Sequence, residues 1–566
     1  MTEKKNRMKT WKKLCLFLVS IVCLLGISIT VFYKVTNYTG RKAWERYVQE
    51  SEELNRTAAS DTERRYLWLK DLIPPPVDES KNFGNHPLYK TACRLAGEYL
   101  AAEKKDWLLD EEMKPWSGLL LLGDLYTLSM ANPGKTNRAN LKKMADMKGI
   151  SDFFPQEILT NKIWIEDQKK PKREEIRNYL DTLSNEEIGH LILKRLEPDL
   201  AVYRDIQDAL AKSSLCRYPL QYEESHGIIY TDARINRLIT YYACWRAYAN
   251  LAIGDSEEAA RDILFCMDLG DTLSGTRQAL RFFEQNHIYE MLVGVIWEGI
   301  HSDSWTADEL KRFQDHLATK NYYDDLRLEW SNNRAELNFR FSKDPRYLLE
   351  EYPVSFKEHL LVCIFGMSSF SIGDIFNTPY FDELIKKCIP TGWCYRIQLE
   401  WNRIMDLESL LFDTESKRFD IDALSRIESK FGGTSPWKID GIPQIFSRNE
   451  HFWYFTYLYQ SSCVWFIQRS CEKQFYINTA RIACALERFR LENGKYPDSL
   501  DDLGELLPKE DIPCDWIDGK APQYCLTDKG YKLWNSKWTI GGEERNYYVH
   551  RWTEKPEYDW VWEIAR

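Results

Sequence analysis

Leu14 to Tyr33 is an unbroken uncharged run, LCLFLVSIVCLLGISITVFY, directly behind the basic segment KKNRMKTWKK. A helix of that length covers about 30 Å, enough to cross a hydrocarbon core. A cleaved signal peptide is the rival reading, but such leaders carry an apolar region of roughly 7–15 residues and a small-x-small cleavage site. Here no Ala-x-Ala follows, and the small pair Gly26 and Ser28 lies inside the run. No Cys follows a Leu-x-Gly-like box, which argues against a lipoprotein. The run is read as a transmembrane signal anchor.

The flanks suggest an orientation. Lys4, Lys5, Arg7, Lys9, Lys12 and Lys13 precede the run, whereas Lys34, Arg41, Lys42 and Arg46 follow it more sparsely. The positive-inside rule then places residues 1–13 in the cytoplasm and the body outside. Residues 1–13 are net +5 in a chain of −10, so everything beyond them carries −15. An acidic body argues against nucleic acid as a partner. Aromatic content of 14% excludes a disordered body. The 566 residues are too many for one ordinary core.

Residues 34–76 read as a charged juxtamembrane helix, with Trp44, Tyr47 and Leu54 as a broken apolar face, closed by a proline linker at Pro74, Pro75 and Pro76. This predicts a stalk that holds the body off the bilayer. Residues 77–173 are mixed; LLLLGDLYTLSM fits either a strand or a short buried helix. From 174 to 447 helical rhythm dominates. Ser184 with Glu187 and Thr306 with Glu309 form capping boxes. Two amphipathic helices are expected to join at Gly254-Asp255. Helix pairs starting near Arg234, Arg277 and Tyr322 suggest either tetratricopeptide-like hairpins or an irregular bundle. Residues 448–493 read as one long helix. Its stretch 452–469 is apolar enough to raise a second span, against a buried core helix. Gly494 should end that helix. The expected fold is mainly α, with a small α+β unit over 494–566.

That last unit has a recognisable pattern: ALERFRLENG, the Tyr496-Pro497 step, Leu500 and Leu503 of a short helix, IPCDWIDGKAPQY, then GYKLWN. Asp518-Gly519 signals a hairpin turn. The pattern resembles the C-terminal unit of the major pseudopilins of type II secretion. The chain departs from them in having no adjacent N-methylated leader, and KWTIGGEERNYY replaces their acidic calcium-binding end. The basic leader, single span, AWERY, PPPV, helical body and LERFRLENGKYP tail together resemble uncharacterised envelope proteins of planctomycete and verrucomicrobial bacteria. The resemblance implies a bacterial cytoplasmic-membrane protein with a periplasmic body, and brings no catalytic residues.

Chemistry-bearing patterns are absent: the sequence holds no GxSxG, HExxH, P-loop or CxxC. His226 reads as a loop histidine and His451 as a core one. Glu400, Trp401 and Asp406, or Glu329 and Trp330, offer carboxylates beside aromatics, but such stripes are more often core than sugar platforms. Cys244, Cys266 and Cys484 read as buried small hydrophobes. Cys514 and Cys525 flank the expected hairpin and could pair under oxidising conditions. A two-residue turn would leave them offset by two, so thiols are the alternative. No catalytic residue, metal or cofactor is predicted. Expected partners are the membrane, through 14–33, and an envelope protein. The function read from these features is a non-catalytic scaffold; a glycan or peptide hydrolase and an accessory part of a secretion or pilus-like system are the alternatives.

Overall fold

The structure is a computed structural model that describes residues 2–58, 64–72, 76–102, 107–124, 182–213, 215–219, 231–273, 279–343, 390–409, 411–413, 416–420, 450–516, 519–534, 539–540, 543–544 and 561–565. The chain forms two compact units.

The first unit comprises residues 1–68, 334–411 and 423–463. Helix α1 (Thr2–Thr57) runs without a break through the apolar stretch, whose residues from Leu16 to Phe32 are exposed among the described residues. Beyond it Thr36, Gly40, Trp44, Tyr47 and Ser51 are buried at helical spacing. This face packs on the late helix Thr391–Ser409. The two run parallel: Phe32 meets Trp393, Gly40 meets Gly392, and Tyr47 meets Asn402 and Asp406. Trp44, Tyr47, Leu67 and Leu399 form a small core, with the Trp44 and Tyr47 rings stacked at 5.7 Å. The juxtamembrane segment is helical to Thr57 and is half of a packed helix pair. The buried stripe that Trp44 and Tyr47 begin is completed by a helix that sequence could not place beside it.

The second unit comprises residues 69–333, 412–422 and 464–566. In chain order its helices are α2 (Pro87–Ala101), α3 (Lys114–Asp124), α4 (Asn185–Leu196), α5 (Leu200–Ala211), α6 (Thr231–Ala252), α7 (Ser256–Asp271), α8 (Ala279–His301) and α9 (Ala307–Ala318). Continuing the numbering, α10 is Tyr322–Lys343, α11 is the Thr391–Ser409 helix above, and α12 is Glu450–Asn493. LLLL of the ambiguous apolar stretch is helical, in α3. Both capping boxes form, opening α4 and α9. Helices start at Thr231, Ala279 and Tyr322, close to the expected positions, and the first two open helix pairs. Helix α6 is not amphipathic. It is buried nearly all round, because α2, α3, α4, α7 and α8 pack on it. Cys244, Cys266 and Cys484 are fully buried, as expected.

Two antiparallel hairpins stack. The α6–α7 turn uses Gly254 at φ 82°, a left-handed conformation that suits glycine. Across it Asn236 reaches Thr272, and Arg246 reaches Asp262. In the α8–α9 hairpin the Trp305 indole donates to Ile296 O at 2.9 Å. Between hairpins the first helices lie side by side in the same direction: Arg237 pairs with Glu284, and Tyr241 with His287.

Helix α12 is continuous through 452–469, whose side chains lie outside the described set. It ends at Gly494, φ 75°. Strands β1 (Phe412–Asp413) and β2 (Arg418–Phe419) pair as a short hairpin, and the last turns of α12 are tied to an antiparallel sheet of order β3-β4-β7: β3 is Gln523–Thr527, β4 Gly530–Trp534 and β7 Val561–Ala565. Tyr531 and Leu533 of β4, with Trp562 and Ile564 of β7, alternate inward and are buried. Tyr496 donates to Glu487 of α12 at 2.7 Å, and its ring lies 5.0 Å from that of Tyr531. The hairpin turns at Asp528-Lys529, joining β3 to β4, and not at Asp518-Gly519. Gly519 does have φ 69°, but in a tight loop before β3 where Asp515 N donates to Lys520 O at 2.9 Å. The Arg418 guanidinium packs against it, 2.0 Å from where a Cβ would sit.

Candidate functional site

The last turns of α7 and α9 bring together the most chemistry-bearing side chains among the described residues. Asp268 and Asp271 are three apart on α7, so they share a face. His316 comes from the end of α9, Lys320 follows just beyond it, and Tyr289 rises from α8. His316 Nε2 lies 3.3 Å from Asp271 Oδ2, and His316 Nδ1 lies 3.7 Å from Asp268 Oδ1. The Tyr289 hydroxyl donates to Asp271 Oδ1 at 2.7 Å and sits 3.1 Å from His316 Nε2. The Lys320 ammonium bonds to Asp271 and lies 5.7 Å from the Tyr289 ring centre.

Burial works to raise the Asp271 pKa, but the hydrogen bonds from His316, Lys320 and Tyr289 and the Lys320 charge outweigh it and hold it below the usual range. Asp268 is pushed up, first by burial and then by the Asp271 charge, against the pull of His316. Burial and the Asp271 charge push the Tyr289 hydroxyl well up, so it remains a donor. Asp268, Asp271 and His316 each offer one ligand atom within 4.8 Å of the others, spacing that a metal ion could use. Two features count against a metal. Lys320 already supplies positive charge to Asp271, and the two imidazole nitrogens face different carboxylates. The arrangement is a charge-compensated cluster of two carboxylates, an imidazole, an ammonium and a phenol.

A second cluster is more deeply set. Lys473 of α12 pairs with Glu290 of α8, and their side chains are 12% and 9% exposed. His287, one turn before Glu290, has Nδ1 at 3.9 Å from Glu290 Oε2 and Nε2 at 2.9 Å from the Tyr241 hydroxyl. Burial pushes Lys473 down to about 7, while Glu290 beside it favours the charged form. Burial, then the Lys473 and Arg237 charges, push His287 down to about 4. Within the α6–α7 hairpin, burial lifts Asp262 to about 7 against the Arg246 guanidinium 3.2 Å away.

A small cleft lined by Cys471, Phe475, Cys514 and Trp516 holds ≈ 10 Å³, about one water. Cys514 lies at this cleft with Sγ 3.6 Å from Ile512 O, and Cys525 stands on β3 opposite Lys532. Asp406 is held by Tyr47, Arg65 and Arg334, and Glu400 pairs with Arg403. Glu543 and Glu544 form β6 against β5 (Thr539–Ile540). His226, Asp518 and the side chains of Glu329, Trp330 and His451 lie outside the described residues.

Sequence reading passed over both clusters. Asp268 with Asp271, and His316 with Lys320, stand at helical i,i+3 and i,i+4 spacing, and that spacing is a usable signal. Their convergence across helices left no local trace. No protein-family model, curated protein or solved structure matches this chain.

Proposed function

We propose that this chain is a single-pass envelope protein, held by α1 in a bacterial cytoplasmic membrane, whose helical body is a non-catalytic scaffold for a protein partner in the periplasm. The observation that carries the reading is the stacking of the α6–α7 and α8–α9 hairpins, with like helices side by side. Stacked helical hairpins present extended surfaces and need no cofactor to do so. The polar clusters fit that role, since each is internally compensated.

A specific observation favours a second reading, that of an accessory part of a secretion or pilus-like assembly. A long helix, α12, ends at Gly494 and is tied through Tyr496 to the β3-β4-β7 meander, in keeping with the pseudopilin-like pattern. Fold-level likeness is a weaker warrant than a site.

Reporter fusions after Arg566 and at the N-terminus test the topology: alkaline phosphatase should be active only at the C-terminal end. Cross-linking in intact cells, followed by purification from solubilised membranes, then identifies partners. A body found in the cytoplasm, or a chain that recovers only itself, sinks the scaffold reading. Recovery of fibre or secretion subunits selects the second.

A further inference from the structure

Phe32 stands at the end of the apolar run, and its ring lies edge-on to that of Trp393, centres 6.3 Å apart. Gly392 rests on the α1 backbone: its amide donates to Asn37 Oδ1 at 2.9 Å, and a Cβ there would meet Thr36 O at 2.0 Å. Later contacts climb together, from Trp44 with Leu399 to Tyr47 with Asp406. Helix α11 therefore starts level with residues 36–40 of α1, with the Trp393 ring reaching back to Phe32, and rises beside it.

That level has a physical meaning if α1 crosses a bilayer. The run from Leu14 to Tyr33 fills a hydrocarbon core about 30 Å thick, and headgroups add roughly 5–7 Å on each side. At a rise of ~1.5 Å per residue, residues 34–38 occupy the headgroup layer, and helix tilt would bring them lower still. We propose that the first turn of α11, Thr391 to Trp393, lies in the headgroup layer, with the buried Trp393 ring seated against Phe32 level with the hydrocarbon boundary, so that the first unit docks directly on a phospholipid surface. The exposed side chains at the same height are of the types that settle there. Lys34, Tyr38, Arg41 and Lys42 face outward, with the Lys42 ammonium 5.9 Å from the Tyr38 ring centre. Asn37 supports the docking from within, by accepting from the Gly392 amide that opens α11.

This inference rests on the reading of α1 as a membrane span, and the test separates the two. The full chain is reconstituted in phosphatidylcholine–phosphatidylglycerol vesicles with p-benzoylphenylalanine at one position. The positions are Val22 in mid-span, Thr391, and exposed Gln49, about 24 Å beyond Tyr33. After irradiation, lipid adducts are read by mass spectrometry. Adducts at 22 and 391, with none at 49, are expected. Adducts at 22 but not at 391 overturn the docking and leave the span intact. None at 22 overturns both, and adducts at all three mean that α1 lies along the membrane, which also overturns the docking. Should the probe at 391 lower the melting temperature, a diazirine-bearing lysine at 391 gives the same readout with less bulk beside the backbone.

Discussion

A Cβ on Gly40 would lie 2.1 Å from the carbonyl oxygen of Gly392, so α1 and α11 touch backbone to backbone. No side chain larger than hydrogen fits without parting the helices. Gly392→Val should destabilise the first unit by about 1–3 kcal/mol, the usual range for overpacking. Gly26→Ala is the control, since nothing lies within 4 Å of that position. Urea titration in detergent, followed by tryptophan fluorescence, compares them. Equal midpoints for both variants would show that the helices do not meet here.

Asp406 gathers three partners: the Tyr47 hydroxyl at 2.9 Å, Arg334 at 2.9 Å and Arg65 at 3.2 Å. Arg334 is buried, so removing the carboxylate strands a positive charge. Asp406→Ala should cost about 3–5 kcal/mol, and Arg334→Met on the Asp406→Ala background should recover part of it. A double-mutant cycle on denaturation midpoints measures the coupling.

His287 makes stability fall with acid. Its unfolded pKa is about 6.5, and burial, helped by Lys473 and Arg237, brings the folded value to about 4. Between these values the unfolded chain binds more protons, so the contribution is complete above pH ~6.5 and is lost as pH falls towards 4. The loss is up to about 3 kcal/mol. Melting temperatures from pH 4 to 7 should drop more steeply in the wild type than in His287→Gln. Parallel curves would mean that the imidazole stays exposed and titrates normally.

Lys320 decides whether the α7–α9 cluster takes a metal. Lys320→Met leaves Asp268, Asp271 and His316 without their neighbouring ammonium. It should lower stability by about 1–3 kcal/mol. Added Zn²⁺ should then raise the melting temperature of the variant and leave the wild type unmoved. A zinc shift in the wild type would show that Lys320 yields to a metal.

Local signals were legible where neighbours within one turn carry them. Ser184 and Glu187 announced the start of α4, and Thr306 and Glu309 that of α9, because a capping box is complete within four residues. Gly254 and Gly494 marked helix ends because their positive φ angles suit glycine. Apolar length alone marked α1. Asp518-Gly519 misled for the same local reason: a glycine at positive φ reports a turn, and the strands it joins depend on pairing elsewhere.

Sequence by itself thus determined the apolar N-terminal helix, the helical body and the positions of a few helix ends. These depend on dihedral preference, capping and continuous hydrophobicity, all short-range properties. Tertiary structure decided the rest. Asn37 meets Gly392 across 355 residues, and Lys473 meets Glu290 across 183. Asp271 finds His316, Tyr289 and Lys320 only because two hairpins stack. Contacts of that range are chosen by which buried faces fit together, and no window of sequence contains both faces.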